Sequence, residues 1–245
     1  MDAIGIIPAR YHSTRFEGKV LKDLLGKSVI QHVWDNARRA STLEGLIVAT
    51  DDERIKSEVL RFGGKAILTA KEHKSGTDRL REVVNPIDVK VVVNIQADEP
   101  FLHPSMIDDI VRSLLEDKTV DMVTLKKKIT DPEELTNPNV VKVVTDKNDY
   151  ALYFSRSTIP YPRVKKNAQF YKHIGLYAFT KDFLFTFTNL PPSPLEGIEG
   201  LEQLRVLENG YKVKVIETQF DTIGIDTPED LERAKEILKS RSKSA

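Results

Sequence analysis

Three cations follow the first apolar segment of the chain within a short stretch. Arg10, Arg15 and Lys19 lie in a polar loop directly after the nearly all-apolar run 3–7. Guanidinium groups bind phosphate oxygens in pairs, and a lysine ammonium supplies a point charge. A loop of this kind after the first strand of an α/β protein presents cations and backbone N–H groups to a polyphosphate. The alternative interpretation is a solvated surface loop with ordinary salt bridges.

Two aspartates stand where a metal ion and a phosphate could meet. Asp98 follows the most strand-like segment of the chain, residues 89–95, and Asp226 follows a short apolar run, residues 223–225. Mg²⁺ typically takes few protein carboxylates together with substrate phosphates. Stabilisation of the turn before Pro100 is the alternative role for Asp98, and the role of Asp226 stays open at this point.

The segment 73–79 predicts a phosphate- or base-binding turn. Its small residues Ser75, Gly76 and Thr77 precede a helix, where backbone N–H groups and hydroxyls are exposed. A helix cap with a turn explains the same residues without any ligand.

A further group of side chains suits an acidic, hydroxyl-rich ligand. The guanidinium of Arg156 can pair with a carboxylate, and Glu202 and Gln203 can bind hydroxyls. His173 and Tyr177 complete this group, although a hydrogen-bonded structural role explains His173 equally well.

The elements that must position these residues read as four strand-then-helix units. The sequence predicts strands over 3–7, 46–49, 65–68 and 89–95, and helices over 28–40, 53–62, 78–84 and 104–115. Ser28 to Gln31 reads as a capping box at the start of the first helix. This order predicts an α/β fold with a parallel, doubly wound sheet. The polar clusters 8–19, 50–51 and 96–99 then meet at the carboxyl ends of the strands, where such sheets bind ligands.

The second half of the chain reads differently. We expect an antiparallel hairpin over 140–145 and 151–155, a strand over 173–179 and a helix over 200–209. A strand over 213–217 and a last helix, opened by a capping box at Thr227, follow. We interpret residues 1–245 as one domain, with an inserted lid or dimerisation region over 140–200.

Composition narrows the class of protein. The 245 residues carry 37 basic and 37 acidic side chains, so the formal net charge is zero, and there is no cysteine. A neutral chain is not expected to bind nucleic acid or anionic membranes, and it has no thiol chemistry. No apolar run approaches the roughly 20 residues that span a bilayer, and no secretion signal precedes the first strand. We therefore expect a cytoplasmic protein with no membrane or nucleic-acid partner.

The chain resembles the 3-deoxy-manno-octulosonate (KDO) cytidylyltransferases over nearly its whole length. The matching segments are IPARYHSTR (7–15), GK (18–19), VATDD (48–52), HKSGTDR (73–79), VNIQADEP (93–100), YFSR (153–156), HIGLY (173–177) and DTPEDL (226–231). The resemblance implies a Rossmann-like, glycosyltransferase-A-like nucleotidyltransferase that works as a homodimer. It implies the reaction of CTP and KDO to CMP-KDO and pyrophosphate with Mg²⁺, for lipopolysaccharide biosynthesis in Gram-negative bacteria.

The resemblance also implies roles for individual residues. Catalysis would rest on Lys19, Asp98, Asp226 and Arg15, with Asp98 and Asp226 as the metal ligands. The nucleotide would contact Pro8, Ala9, Arg10, Ser13, Thr14, Arg15, Lys19, Ser75, Gly76 and Thr77. KDO would contact Gln96, Arg156, His173, Tyr177, Glu202 and Gln203.

The chain departs from the family pattern at two places. Phe16 and Glu17 replace the usual Leu-Pro, and we expect the Glu17 carboxylate to point away from the loop or to pair with a cation. Ala97 stands where the family often has glycine, which is tolerable unless the backbone there needs a positive φ.

Two other functions fit parts of the sequence. A cytidylyltransferase for another sugar acid or a sugar phosphate needs the same nucleotide loop. A catalytically silent nucleotide-sensing module can use the same fold, although it has no need for Lys19 together with both aspartates.

Overall fold

A computed structural model of the chain describes residues 1–73, 75–164, 166 and 168–243. Lys74 of the 73–79 segment lies outside the described residues. The strands are β1 (Ala3–Ala9), β2 (Asp23–Leu24), β3 (Lys27–Ser28), β4 (Gly45–Thr50), β5 (Ala66–Leu68), β6 (Val91–Asn94), β7 (Met122–Lys128), β8 (Lys142–Thr145), β9 (Ala151–Ser155), β10 (Tyr171–Thr180) and β11 (Lys214–Glu217). The helices are α1 (Val29–Ala37), α2 (Glu53–Arg61), α3 (Gly76–Val84), α4 (Pro104–Glu116), α5 (Pro132–Thr136), α6 (Lys181–Asn189), α7 (Pro194–Glu199), α8 (Leu204–Glu208) and α9 (Pro228–Lys243).

The chain divides into two compact units. The first contains Met1–Asp108 and Asp221–Ala245, and the second contains Asp109–Phe220. The predicted single domain with an insertion over 140–200 stays a prediction.

The first unit contains the predicted parallel sheet. Its strands lie in the order β6-β1-β4-β5, and all three pairings are parallel, as the four strand–helix units require. Strands β1 and β6 are nearly all apolar because both of their faces are covered. The α/β prediction is confirmed, and the carboxyl ends of β1, β4 and β6 lie at one edge of this sheet.

The C-terminal segment completes the core of the first unit. Ile225, Leu231 and Ala234 pack in one buried cluster with Leu24, Val29 and Phe101, which come from much earlier in the chain. Thr227 and Asp230 form the predicted capping box at the start of α9, since each side chain bonds the other residue's amide, at 3.2 and 2.9 Å.

One predicted cap is wrong. Ser28 stands at the N-cap position of α1, but its side chain makes no capping hydrogen bond. Ser28 also ends the short strand β3, and its side chain is buried there. The helix itself begins where the sequence predicted.

The second unit is built on a largely antiparallel sheet. Strand β7 pairs with β10 antiparallel and with β11 parallel, and β8 pairs antiparallel with both β9 and β10. The predicted hairpin is therefore confirmed as β8 and β9.

The predicted helix over 200–209 is wrong in its first half. Gly200 adopts a left-handed conformation, with φ of 63°, and ends α7 instead of starting a new helix. Helix α8 begins only at Leu204. Within the described residues, no helix is long and apolar enough to cross a membrane.

Candidate active site

A pocket of about 700 Å³ opens at the carboxyl edge of the sheet in the first unit. Twelve of the residues named from the sequence line it: Pro8, Ala9, Arg10, Ser13, Thr14, Arg15, Lys19, Ser75, Gly76, Gln96, Asp98 and Asp226. The volume lies in the range of small-molecule sites in proteins. The loops after β1 and β6 and the start of α3 therefore meet at one place, as the sheet topology predicts.

Lys19 stands between the two aspartates. Its Nζ lies 2.5 Å from Oδ2 of Asp98 and 2.7 Å from Oδ1 of Asp226. The same oxygen of Asp226 lies 3.0 Å from Nη2 of Arg15. Burial lowers the pKa of Lys19, but the charges and hydrogen bonds of Asp98 and Asp226 outweigh it, so the pKa lies above its ordinary value of 10.5. Lys19 is therefore a cation at neutral pH.

Local structure fixes the two aspartates. The side chain of Asp230 accepts the backbone N–H of Asp226 at 3.0 Å, as part of the cap that starts α9. The amide of Ile225 donates to the carbonyl oxygen of Asp98 at 2.9 Å, which joins the two aspartate-bearing turns. Asp98 and Asp226, which are far apart in sequence, are thus both positioned to contact Lys19.

The start of α3 supplies the second wall of the pocket. Ser75 and Asp78 form a reciprocal capping box, and a Cβ on Gly76 would lie 3.2 Å from Cγ of Pro8. A helix N-terminus favours a negative ligand. Thr77 is buried in the first turn of α3 and is not among the described residues that line the pocket.

Sequence reasoning did not assign a role to Arg79, which also lines the pocket. Its guanidinium is buried and lies 2.8 Å from the Asp51 carboxylate, and it contacts the hydroxyl of Thr69. Asp51 follows β4, so this ion pair fastens α3 to the end of that strand. The signal in the sequence was an aspartate directly after a predicted strand.

Glu99 was a second unassigned residue of this edge. Burial, followed by the charge of Asp98, raises the pKa of Glu99 to about 8, while a hydrogen bond with Thr222 opposes the shift. A carboxyl group in this setting keeps its proton at neutral pH.

The two departures from the family pattern are accommodated. Oε1 of Glu17 lies 3.2 Å from Nδ1 of His12, so Glu17 pairs within its own loop, and the expected pairing with a cation stays a prediction. Phe16 packs against the buried cluster that holds Phe101. Ala97 is not among the described residues with a positive φ, so its methyl group is tolerated as expected.

The remaining predicted residues belong to the second unit. The guanidinium of Arg156 donates to the carbonyl oxygens of Glu199, Pro138 and Gly200, at 2.7, 3.0 and 3.5 Å. Glu202 is partly exposed, and Gln203 is buried with no hydrogen-bond partner at its Nε2 atom among the described residues.

His173 makes a hydrogen bond inside the protein, as expected for the structural role that the sequence analysis offered for it. Its Nε2 lies 2.9 Å from Oγ1 of Thr124, and its ring packs against Phe154 and Tyr177. Burial lowers the pKa of His173 to about 3. The imidazole is therefore neutral at physiological pH, and contact of His173 or Tyr177 with a ligand stays a prediction.

The two carboxylates suit a divalent cation in number and type. Mg²⁺ takes one or two carboxylates and leaves its other positions to water and phosphate. Asp98 and Asp226 already converge on a single positive charge. No cluster of three or more acidic, histidine or cysteine ligands occurs among the described residues, so a metal here would depend on substrate oxygens.

A cationic loop, a helix N-terminus and paired carboxylates at one edge of a parallel α/β sheet are the features expected of a nucleotidyltransferase. Comparisons with known proteins agree. A sequence model of the family described as "Cytidylyltransferase" matches residues 4–218.

Individual relatives are similar over their full length. The 3-deoxy-manno-octulosonate cytidylyltransferase of Fusobacterium nucleatum is 51% identical over 243 residues, with 99% of each chain covered. That of Geotalea uraniireducens is 51% identical over 250 residues, with 98% of this chain and 100% of the relative covered. A solved structure of CMP:2-keto-3-deoxy-manno-octonic acid synthetase complexed with CTP matches with a TM-score of 0.94 and 40% identity, over 98% of this chain and 100% of that one. The chain belongs to the 3-deoxy-manno-octulosonate cytidylyltransferase family.

Proposed function

We propose that the chain transfers the cytidylyl group of CTP to KDO and releases pyrophosphate. The observation that carries the proposal is the Lys19 ammonium held between Asp98 and Asp226 in the pocket of the first unit. The names of the full-length relatives and the CTP complex of the 40% identical structure support the choice of substrates.

The reaction is an in-line displacement. The anomeric hydroxyl oxygen of KDO bonds to the α-phosphorus of CTP while the bond from that phosphorus to the bridging oxygen breaks. Pyrophosphate leaves with the electron pair, and the hydroxyl proton passes to solvent. No covalent enzyme intermediate is needed.

The residues of the pocket would stabilise charge and fix position. Arg10, Arg15 and Lys19 would bind the triphosphate and stabilise the negative charge that develops on pyrophosphate. Ser75 and Gly76, at the positive end of α3, would hold the nucleotide by backbone and hydroxyl hydrogen bonds. The result is a bound CTP with its α-phosphorus open to attack.

Asp98 and Asp226 would hold Mg²⁺. When bound, the ion would lower the pKa of the attacking hydroxyl and neutralise phosphate charge.

We expect Asp98→Asn to abolish Mg²⁺-dependent pyrophosphate release while circular dichroism shows an intact fold. Asp35→Asn, which removes a partly exposed carboxylate that pairs with Lys27 outside the pocket, is the matched control and should keep full activity. Activity of Asp98→Asn at saturating Mg²⁺ would show that Asp98 is not a ligand.

The residues predicted to contact KDO are Gln96, Arg156, His173, Tyr177, Glu202 and Gln203. We further propose a homodimer in the cytoplasm, whose product supplies lipopolysaccharide synthesis.

Pyrophosphate release tests the proposal directly. The purified protein is assayed with CTP, KDO and Mg²⁺, beside ATP, GTP and UTP, a sialic-acid control and an EDTA control. Release that requires CTP, KDO and Mg²⁺ together supports the proposal. Pyrophosphate release with CTP and another sugar acid would keep the reaction but change the proposed sugar substrate. CTP binding without pyrophosphate release, whatever the sugar, would favour a nucleotide-sensing module.

A further inference from the structure

The loop over 10–19, which carries the pocket cations, is closed at its base by two contacts. The amide of Gly18 donates to the carbonyl oxygen of Tyr11 at 2.9 Å. Gly18 has a left-handed φ of 64°, and a Cβ at that position would lie 2.9 Å from the Tyr11 ring. The ring therefore packs on the backbone directly before Lys19.

The Tyr11 ring also contacts an arginine from α2. The Cζ atom of Arg54 lies 3.3 Å from the centroid of the Tyr11 ring. This is the geometry of a cation–π contact. At an exposed site such a contact shifts the equilibrium towards the conformation that contains it by about two- to fivefold. Tyr11 thus contacts both Arg54 and Gly18.

Arg54 is itself fixed in place. Its Nε and Nη2 atoms bind the two oxygens of Asp52 at 2.9 and 2.7 Å, and its amide caps α2 on Asp52 at 2.9 Å. The hydrogen bond with Arg54 is the chief cause that lowers the pKa of Asp52, although burial opposes it. A bidentate pair orients the guanidinium plane, which a single flexible contact does not do.

We propose that Tyr11 and Arg54 are positioning residues that hold the 10–19 loop in its triphosphate-binding shape. Arg10 and His12 line the pocket on either side of Tyr11, but neither Tyr11 nor Arg54 is among the described lining residues. They act through the loop backbone and not on the ligand. The inference rests on the proposed function insofar as CTP is the ligand.

The chain supplies a matched control on the same helix. Arg61 makes an equal bidentate pair with Glu58, with both distances 2.7 Å, near the other end of α2. Arg54 and Arg61 are similarly exposed, at 55% and 63%. Arg61→Ala therefore removes the same kind of ion pair without touching Tyr11.

The first measurement is CTP affinity and kinetics for Arg54→Ala, Tyr11→Leu, the double variant, Tyr11→Phe and Arg61→Ala. We expect the first two to raise the Kd and KM for CTP about two- to tenfold while kcat changes less. The double variant should be no worse than Tyr11→Leu alone, because that variant already removes the contact with Arg54. Tyr11→Phe keeps the ring and should behave like Arg61→Ala and the unmodified protein. Equal CTP affinity for Arg54→Ala and Arg61→Ala would overturn the proposal.

The second measurement needs no ligand. Hydrogen exchange of the Gly18 amide reports the closure of the loop on Tyr11, and we expect it to quicken in Arg54→Ala but not in Arg61→Ala. If the unmodified protein fails to bind CTP, the proposed function fails, while faster exchange in Arg54→Ala alone still supports the positioning role. Unchanged exchange in Arg54→Ala would contradict it, whatever the protein binds.

Discussion

Lys19 contacts both acidic groups of the pocket, so a single substitution removes the charge that joins them. We expect Lys19→Ala to lower turnover by about 10²- to 10³-fold, the usual loss for one preorganised electrostatic donor. The reason is that the negative charge developing on pyrophosphate loses the ammonium that Asp98 and Asp226 hold in the pocket. Steady-state pyrophosphate release measures the effect.

Lys27→Ala is the control for this substitution. Lys27 also pairs with an aspartate at 2.7 Å, but its side chain is about half exposed, whereas that of Lys19 is 14% exposed. An exposed pair contributes little, so activity should not change. A loss below tenfold for Lys19→Ala would remove Lys19 from the mechanism.

His173 links single-residue burial to the pH dependence of stability. Its pKa is about 3 in the folded chain and about 6.5 in an unfolded one. Between these values the unfolded state binds a proton that the folded state does not, so the free energy of unfolding falls as the pH falls. We expect His173→Gln to reduce this slope by about 1 kcal/mol per pH unit between pH 6 and 5. Denaturant unfolding at several pH values measures it.

Thr124→Val distinguishes the effect of His173 titration on stability from the effect of its hydrogen bond. It removes the hydroxyl that bonds His173 but keeps the imidazole. We expect lower stability at every pH with the steep slope preserved. An unchanged slope in His173→Gln would mean that burial does not keep this histidine neutral.

The chemistry-bearing residues of the pocket could be predicted because their types suit phosphate and metal. Their pairing could not. Lys19 meets Asp98 and Asp226 across 79 and 207 residues of sequence, and local patterns carry no information on such contacts. The partner of Asp51, Arg79, could not be predicted for the same reason, although the position of Asp51 just after a predicted strand was visible in the sequence.

At the scale of elements, the turn before Lys19 depends on one glycine. Gly18→Ala forces a side chain into a left-handed conformation, at about 1–2 kcal/mol, and against the Tyr11 ring. We expect weaker CTP binding together with lower stability. Isothermal titration and denaturant unfolding measure the two effects.

Gly26→Ala is the matched control. Gly26 has a φ of +87°, but a Cβ at this position would meet nothing within 4 Å. The free energy of unfolding should fall by a similar amount, because the backbone strain is similar, while the affinity for CTP is unchanged. Equal affinity losses in both variants would show that strain alone, and not the contact with Tyr11, disturbs the site.

Strand–helix units could be predicted where an apolar run was followed by polar or turn-forming residues that end a strand. Strand β7 was not, because only its first four residues read as a strand and three lysines follow. Lys126 is nevertheless buried, since Thr145 and Asp149 each accept its ammonium at 2.8 Å. Helix α7 did carry a local signal, the Ser193–Glu196 capping box with Pro194 at its first position, which was overlooked.

At the scale of the whole molecule, the proposed homodimer makes a testable claim. Four large apolar side chains between residues 140 and 200 are well exposed: Leu152, Tyr161, Val164 and Ile198. Their exposure makes this region the place to test the proposed homodimer by substitution. We expect sedimentation to give twice the chain mass of 27.8 kDa.

Leu152→Glu and Ile198→Glu should shift the protein to a monomer, because charge is depleted from interface cores. Leu60→Glu changes an equally large, 54% exposed side chain of α2 and should leave the dimer intact. A monomeric unmodified protein would contradict the proposed homodimer.

The first unit is discontinuous in sequence, and this affects how it forms during synthesis. Leu24, Val29 and Phe101 leave the ribosome long before Ile225, Leu231 and Ala234, which cover them. At ribosomal rates that delay is on the order of 10 s. During it the nascent chain exposes apolar surface and lacks Asp226, so the pocket is complete only after the segment 223–234 has been synthesised.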